Sequence, residues 1–169
     1  TRSDSVRAGL AALRAARAED DDWVLVHDAA RPCITAAEID ALRAAVTADI
    51  RPAGGLLALP LADTLKRGDA GHGAVRSVDT LVRESLWRAL TPQMFRLGAL
   101  ELALQAAAAE GRSPPDEAQD LEWQGIAPRL VAGEATNLKV TTQADVALAT
   151  AILAARRTGA AAMGREARA

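Results

Sequence analysis

The sequence has 169 residues, of which 50% are hydrophobic and 25% are charged, and its formal net charge is -2. A chain of this length and composition is sufficient to bury one hydrophobic core, so we expect a single domain over residues 1–169. The lack of a basic excess argues against a general affinity for nucleic acid. No apolar run approaches the roughly 20 residues that span a membrane, and the first residues lack the apolar core of a signal peptide. We therefore expect a cytoplasmic protein that is not bound to membranes.

The basic residues are almost all arginine. Of the 20 lysine and arginine residues, only Lys66 and Lys139 are lysine. A lysine that persists in an arginine-rich sequence points to a position where a compact charge suits better than a planar guanidinium group. The single cysteine, Cys33, excludes an internal disulfide and a cysteine-based metal site, so we expect it to be a small buried apolar residue.

The first part of the chain alternates predicted helices and strands. Ser3 begins a run with helical spacing that predicts a first helix to about Ala18. Trp23–Val26 is a short apolar run, which predicts a strand buried on both faces of a parallel sheet. Thr35 is placed to cap a second helix, and residues 55–60 predict a second buried strand. This order of elements is typical of a parallel α/β sheet.

Residues 61–80 predict an extended β-arm. Two short segments flank a glycine-rich loop at residues 68–73, and such a loop is typical of a hairpin turn. The arm has too few apolar side chains to form a core of its own. We therefore expect it to lie either on its own sheet or on a second subunit.

The second half of the chain is predicted to be mainly helical. Apolar spacing, glycine and proline predict helices at about residues 96–110 and 116–124. Short strands are predicted at residues 129–132 and 137–140. A final helix over residues 142–156 is expected to be followed by a frayed tail.

A carboxylate follows the first predicted strand directly. In the stretch WVLVHDAARP, Asp28 comes just after the apolar run, and two alanines leave space before Arg31. In open α/β sheets ligands bind beyond the carboxyl ends of the strands, where an aspartate is a usual ligand for a divalent metal on a phosphate. The alternative is that Asp28 and Arg31 only cap a turn or pair with each other at the surface.

Further polar residues lie at predicted strand ends and turns. The set contains one carboxylate for a metal, several cations for phosphate oxygens and hydroxyl groups to orient them, but no convincing nucleophile with an adjacent base. This composition favours transfer at phosphorus over acyl or glycosyl chemistry, because positioning and charge neutralisation supply most of the catalysis there. The members are Asp28, Arg31, Asp63, Thr64, Lys66, Arg67, Arg83, Thr91 and Lys139.

Four ordered blocks of this sequence resemble the 2-C-methyl-D-erythritol 4-phosphate cytidylyltransferase family. They are VHDAARP at 26–32, LPLADTLKR at 59–67, LWRALTPQMF at 86–95 and NLKVTTQADVALA at 137–149. The resemblance implies an α/β fold, namely a Rossmann-like nucleotidyltransferase three-layer sandwich with a protruding β-arm that forms a homodimer. It also implies transfer of CMP from CTP to 2-C-methyl-D-erythritol 4-phosphate, with Mg²⁺ as cofactor and pyrophosphate as the second product, in isoprenoid precursor synthesis.

The resemblance assigns four residues to the nucleotide. Ser5, Asp28 and Ala29 match nucleotide contacts, and Asp28 would hold Mg²⁺. Arg31 would support the turn that follows Asp28.

The resemblance assigns four further residues to the sugar phosphate. Thr64 and Arg83 match residues that cross to the partner subunit and bind the acceptor, while Thr91 and Lys139 match groups around the acceptor phosphate. Lys139 and Arg83 are the expected catalytic residues. The position of Thr91 just before Pro92 is equally typical of a helix cap.

Three residues depart from the family pattern on the acceptor side. Val82 and Thr136 stand where the family usually has aspartate, and Pro115 stands where it usually has threonine. The family's N-terminal strand and glycine-rich CTP loop are also missing, so we interpret the sequence as an N-terminally incomplete nucleotidyltransferase domain. Two alternative functions remain, a ribitol-5-phosphate cytidylyltransferase and a non-catalytic nucleotide-binding or dimerisation module.

Overall fold

A computed structural model describes residues 2–49, 53–69, 71 and 73–166, and it describes side chains as far as residue 158. Residues 70 and 72 of the predicted glycine-rich loop lie outside the described residues. In chain order the elements are α1 (Arg2–Ala15), β1 (Trp23–Val26), α2 (Ala36–Thr47), β2 (Gly55–Pro60), β3 (Leu65–Asp69), β4 (Arg76–Leu81), β5 (Trp87–Arg96), α3 (Leu97–Ala109), α4 (Glu117–Glu122), β6 (Arg129–Ala132) and α5 (Gln143–Glu166).

Four strands form one mixed sheet in the order β1, β5, β2, β6. Strand β5 is antiparallel to both of its neighbours, whereas β2 and β6 are parallel. The strands β1, β2 and β6 therefore run in one direction, and their carboxyl ends face the same edge of the sheet.

Helices cover both faces of this sheet. On one face Val24, Leu56 and Phe95 belong to a hydrophobic cluster with residues of α1, α3 and α4. On the other face Leu57 and Met94 pack with residues of α2. Because successive strand residues point to opposite faces, one strand can serve both clusters. This arrangement confirms the predicted three-layer sandwich.

The position of β1 corrects one prediction. Trp23–Val26 is a strand, as expected, but it is not buried on both faces of a parallel sheet. It lies at the edge of the sheet formed by the described residues and pairs with β5 in antiparallel fashion. Val24 is its only buried residue, and Leu25 is 39% exposed. An apolar run indicates burial of some side chains, but it does not specify the direction of the neighbouring strand.

Strand β5 is absent from the sequence-based predictions, although it joins β1 to β2. Its ten residues include Pro92, and a proline argues against a central strand because it cannot donate a ladder hydrogen bond. The structure accommodates it at an irregularity, where the pairing with β2 shifts register between Leu56 and Ala58. The Thr91–Pro92 peptide bond there is cis. Thr91 therefore lies within a strand, and its interpretation as a helix cap is wrong.

Other boundaries also differ from prediction. Helix α1 begins at Arg2 and ends at Ala15, so Ser3 lies inside its first turn. Residues 137–140 do not form a strand, because their backbone groups bond to loops, as in the donation from Val140 N–H to the Ala30 carbonyl at 2.7 Å.

Helix α5 continues to Glu166, past its predicted end and into the expected frayed tail. It is the longest helix described. Neither α5 nor any other helix among the described residues is long and apolar enough to cross a membrane.

The second predicted helix is confirmed together with its cap. Thr35 Oγ1 accepts a hydrogen bond from Glu38 N–H at 3.1 Å, and Glu38 Oε2 accepts from Thr35 N–H at 3.2 Å. This reciprocal pair is a capping box. Cys33 is fully buried, as expected.

The β-arm is confirmed as an antiparallel hairpin of β3 and β4. These strands pair with each other and form a sheet separate from the main one. Most of their residues are exposed, and Val75 and Val78 are 75% and 59% exposed. A single chain therefore leaves the apolar side chains of its arm uncovered.

Gln93 on β5 anchors the short helix α4. The Gln93 amide is buried, with Nε2 donating to Asp116 Oδ2 at 2.9 Å and Oε1 accepting from Ala118 N–H at 2.9 Å. We expect Gln93→Leu to lower the free energy of unfolding of the full-length protein by about 1–3 kcal/mol, because two polar groups lose their partner. Chemical denaturation measures this change. Gln105→Leu, at an exposed position of α3, is the matched control, and equal stability of the two variants would contradict the assignment.

Candidate active site

Asp28 lies just beyond the carboxyl end of β1 and faces three cationic groups. Its Oδ2 atom is 2.9 Å from Lys139 Nζ and 3.7 Å from Arg31 Nε, and its Oδ1 atom accepts a hydrogen bond from Arg2 Nε at 3.3 Å. The Asp28 side chain is 14% exposed and that of Lys139 is 45% exposed. The structure thus brings together three predicted site residues. Asp28 and Arg31 are close in sequence, whereas Lys139 comes from a distant part of it.

The backbone at this position is fixed by β5 and by the segment before α5. Asp28 N–H donates to Thr91 Oγ1 at 3.0 Å. Arg31 Nη1 donates to the Asn137 carbonyl at 2.9 Å, two residues before Lys139. Arg31 therefore joins the loop that carries Asp28 to the loop that carries Lys139, here called the lysine loop. This bond is consistent with the predicted role of Arg31 in the turn after Asp28.

Buried Asn137 connects the lysine loop to β5 and to α2. Its Nδ2 atom donates to the Thr91 carbonyl at 2.9 Å and to Glu38 Oε1 at 3.4 Å. Glu38 Oε1 also accepts from Glu134 N–H at 3.0 Å. Because buried polar groups need partners, these bonds fix the path of the chain toward Lys139. Sequence reasoning gave Asn137 and Glu38 no role, since their partners are far away in the chain.

Arg2 is a second residue that sequence reasoning missed. Its guanidinium forms a bidentate pair with Glu117, in which Nη2 is 2.7 Å from Oε2 and Nη1 contacts Oε1. Glu117 is buried. Arg2 thereby joins α1, α4 and Asp28. The sequence carried no clear signal for this role, because the predicted helix began at Ser3 and the partners of Arg2 are far away in the chain.

The cations determine the ionisation of Asp28. Burial raises the pKa of this carboxyl group, but the hydrogen bond and charge of Lys139, followed by those of Arg2, outweigh burial and hold the pKa below its usual value. Asp28 is therefore ionised at neutral pH. Its ion pairs stabilise the fold above the ordinary aspartate pKa, and this contribution is lost as the pH falls through the lowered pKa.

A cavity of about 550 Å³ lies between α1 and β1, next to Asp28. Ser5, Asp28 and Ala29 all line it, together with apolar residues such as Leu10 and Leu25. Its volume is within the range of small-molecule binding sites. The structure therefore places the three predicted nucleotide contacts around one cavity.

The donor set beside this cavity fits a metal that arrives with a phosphate. Asp28 offers an ionised carboxylate, and the described residues contain no group of three or more His, Cys, Asp or Glu side chains that could hold a metal ion. Mg²⁺ is often bound by one or two carboxylates together with substrate phosphates. A resident metal held by protein groups alone does not fit, whereas a nucleotide-bound Mg²⁺ does.

Thr64 and Arg83 lie elsewhere, at the base of the arm. They line a cavity of about 410 Å³ together with Val82, which is 77% exposed. Arg83 Nη1 donates to the Ala62 carbonyl. Neither Asp28 nor Lys139 lines this cavity. Within one chain, the residues predicted to bind the acceptor thus lie in two separate places.

Thr91 is buried next to Asp28, with 4% of its surface exposed. Its hydroxyl contacts His27 Nδ1 at 3.0 Å as well as the Asp28 amide. Contact between Thr91 and an acceptor phosphate stays a prediction.

Two of the three departures from the family pattern, Thr136 and Pro115, lie in different surroundings from each other. Thr136 Oγ1 accepts from Arg156 Nη2 at 3.0 Å and donates to Glu134 Oε2 at 2.9 Å, so it fastens α5 to the lysine loop. Pro115 is exposed, immediately before Asp116, which caps α4.

Comparison with known proteins gives a consistent result. The model of the 2-C-methyl-D-erythritol 4-phosphate cytidylyltransferase family matches residues 1–155. A protein of that name from Acidithiobacillus ferrooxidans is 55% identical over 155 residues, which cover 92% of this chain and 63% of the relative. One from Dechloromonas aromatica is 54% identical over 157 residues, which cover 93% of this chain and 64% of the relative. The chain thus spans less than two thirds of these relatives.

A solved structure agrees with the sequence relatives. The crystal structure of a 4-diphosphocytidyl-2C-methyl-D-erythritol synthase matches with a TM-score of 0.79 and 40% identity, over 90% of this chain and 67% of that one. The similarity extends to most of the elements described above.

A fully buried carboxylate, Asp120, lies on α4 close to the Arg2–Glu117 pair. Neither of its oxygens has a hydrogen-bond partner among the described residues. Burial, followed by the nearby charges of Glu117 and Asp116, raises the pKa of Asp120 to about 6. Ionisation of Asp120 therefore destabilises the folded state. For this reason the free energy of unfolding falls as the pH rises from about 4 to about 6.

We expect Asp120→Asn to stabilise the full-length protein near neutral pH, because asparagine cannot ionise. Near pH ~4, where folded Asp120 is protonated, the variant and the wild type should have similar free energies of unfolding. Denaturation at the two pH values measures the difference. Asp40→Asn, at an exposed position of α2, is the control, and a gain for Asp120→Asn that is equal at both pH values would contradict the prediction.

Proposed function

Because the chain belongs to the 2-C-methyl-D-erythritol 4-phosphate cytidylyltransferase family, we propose that the protein carrying it transfers CMP from CTP to 2-C-methyl-D-erythritol 4-phosphate. Pyrophosphate is the second product, and isoprenoid precursor synthesis in the cytoplasm is the setting that we infer. The observation that carries this proposal is the contact of 2.9 Å between Asp28 and Lys139 at the carboxyl end of β1. This contact supports the proposal because a carboxylate suits a metal and an ammonium suits a phosphate.

The nucleotide side of the reaction is assigned to the cavity between α1 and β1. Ser5, Asp28 and Ala29 line it, and Arg31 holds the following turn. Asp28 would hold Mg²⁺, which neutralises phosphate charge and orients the α-phosphate when it is bound.

Lys139 is assigned to the charge that develops at phosphorus. A phosphate oxygen of the acceptor attacks the α-phosphorus of CTP, and the new P–O bond forms as the bond to pyrophosphate breaks. The Lys139 ammonium makes one contact with Asp28 and is 45% exposed, so it can exchange this carboxylate for a phosphate oxygen. A cation that contacts the phosphate oxygen as charge develops stabilises the transition state more than the ground state.

One observation favours keeping a second acceptor, ribitol 5-phosphate. Val82 lines the same cavity as Thr64 and Arg83, so the replacement of the usual aspartate alters the acceptor side of the site. The third candidate, a non-catalytic nucleotide-binding or dimerisation module, predicts CTP binding or self-association without turnover.

Pyrophosphate release from CTP by the full-length protein separates these functions. With Mg²⁺ present, we expect release with 2-C-methyl-D-erythritol 4-phosphate to exceed release with ribitol 5-phosphate. The opposite preference would support the second function. Absence of release with both acceptors would support the non-catalytic module.

Substitution of Lys139 tests the assigned mechanism. We expect Lys139→Ala to lower kcat about a hundredfold or more, since loss of one contact to a developing charge costs about 2.7–4 kcal/mol. Lys139→Arg should restore only part of the rate, because the guanidinium is larger and planar. The only other lysine of the chain, Lys66, lies exposed on the arm and contacts Thr80, so Lys66→Ala is the control. Turnover of Lys139→Ala within a few fold of wild type would place Lys139 outside the chemistry.

We further propose that the arm at residues 61–80 forms a homodimer. Its valines are exposed, and an isolated hairpin is only marginally stable. The separation of Thr64 and Arg83 from Asp28 in one chain also supports a site that is completed by a second copy.

Sedimentation of the full-length protein tests the arm. We expect a dimer at micromolar concentration and a shift toward monomer in Val78→Glu, because a buried unpaired charge opposes the contact. Leu148→Glu on α5, where Leu148 is 54% exposed, is the control. A wild-type monomer at this concentration, or an undisturbed dimer in Val78→Glu, would argue against the proposal.

A further inference from the structure

His27 lies between the loop after β1 and strand β5, with both ring nitrogens engaged. Its Nε2 atom is 3.2 Å from the Arg31 carbonyl oxygen, and its Nδ1 atom is 3.0 Å from Thr91 Oγ1. The same hydroxyl oxygen is 3.0 Å from the Asp28 amide nitrogen. A continuous chain of hydrogen bonds therefore passes from Arg31 through His27 and Thr91 to Asp28.

The chemistry of the partners assigns the proton positions along these hydrogen bonds. The Arg31 carbonyl can only accept, so His27 Nε2 carries the proton. In a neutral ring Nδ1 is then an acceptor, and the Thr91 hydroxyl donates to it. The hydroxyl oxygen keeps its acceptor capacity for Asp28 N–H. In the tautomer protonated at Nε2, each of the three hydrogen bonds has one allowed direction.

We propose that His27 is a positioning residue for Asp28, which it orients through the hydroxyl of Thr91. This inference rests on the proposed function for the statement that the oriented carboxylate serves nucleotide transfer. If Thr91 lost its acceptor on His27, its hydroxyl could turn away, and the Asp28 amide would lose a fixed partner. Thr91 is 4% exposed, whereas His27 is exposed, so the ring of His27 holds the buried hydroxyl from its solvent side.

Thr91 also acts on the lysine side of the pair. Its carbonyl accepts from Asn137 Nδ2 at 2.9 Å, and Lys139 follows two residues later. One residue of β5 thus binds the Asp28 backbone through its side chain, and it binds Asn137, two residues before the lysine, through its carbonyl. Small errors in such an arrangement are costly, since a displacement of about 1 Å can lower turnover on the order of a hundredfold.

Two neutral substitutions separate the two contacts of His27. In His27→Asn, the side-chain oxygen can occupy the place of Nδ1 and accept from Thr91, while the contact to Arg31 is lost. In His27→Gln, the longer amide can reach the Arg31 carbonyl, but Thr91 loses its acceptor. A purely structural histidine predicts similar losses for both variants.

The expected result is a difference in kcat and not in substrate binding. His27→Gln and the isosteric Thr91→Val should lower kcat in the full-length protein on the order of a hundredfold. His27→Asn should retain at least about tenfold more turnover than His27→Gln, with the KM for CTP changed little in either. Equal kcat values for the two His27 variants, at equal unfolding midpoints, would overturn the proposal.

Nuclear magnetic resonance tests the same inference without turnover. The chain has two histidines, so the ¹⁵N signals of His27 can be assigned from their loss in His27→Gln. We expect a proton on Nε2, and an Asp28 amide whose hydrogen exchange is slow in wild type and His27→Asn but fast in His27→Gln and Thr91→Val. A ring protonated at Nδ1, or unchanged amide protection in Thr91→Val, would overturn the proposal.

Together, turnover and nuclear magnetic resonance distinguish a failure of the proposed function from a failure of the proposed role of His27. If the wild-type protein released no pyrophosphate with either acceptor, the proposed function would fail. The tautomer and the Asp28 amide protection would then decide the role of His27 by themselves.

Discussion

The arrangement of the site depends on two buried polar side chains of β5, Thr91 and Gln93. Strand β5 lies between β1 and β2. A group that bonds to β5 is therefore held at a fixed position relative to the ends of both neighbouring strands. Thr91 bonds to the loop of Asp28 and to Asn137, while Gln93 bonds to the start of α4. Buried polar groups are stable only when their partners are in place. The requirement to satisfy this one strand therefore fixes the position of three separate loops.

The three cations around Asp28 differ in how firmly they are held. Arg2 is fixed by a bidentate pair with buried Glu117, and bidentate arginine–carboxylate pairs are stronger than single contacts. Arg31 is bonded to the backbone of the lysine loop. Lys139 makes a single ion pair and is 45% exposed, and exposed pairs contribute only about 0–1 kcal/mol. Under the proposed function, Lys139 is consequently the cation that a phosphate would recruit at the lowest cost.

Local signals predicted the elements whose causes are local. Thr35 and Glu38 form the cap of α2 through neighbouring residues, and the glycine-rich loop between β3 and β4 identified the hairpin. Strand β5 was missed because Pro92 is compatible with a strand only where the ladder is irregular, which depends on the partner strand. The position after a strand indicated Asp28, and the resemblance assigned Asp28 to the metal and Lys139 to the acceptor phosphate. The bonds of Arg2 and Asn137 join residues far apart in the sequence, so neither periodicity nor motif spacing could indicate them.

The location of Thr64 and Arg83 links the arm to acceptor binding as well as to dimer formation under the proposed function. In one chain the nucleotide-side residues line a cavity beside β1, whereas Thr64 and Arg83 line another at the base of an exposed hairpin. A hairpin with so few apolar contacts has little intrinsic stability, so a partner that covers it would also order the cavity at its base. Under the proposed function, the surface that assembles the dimer and the groups that bind the acceptor would be parts of one element. Assembly would then be a condition for binding the acceptor, while the Asp28–Lys139 pair is already formed within a single chain.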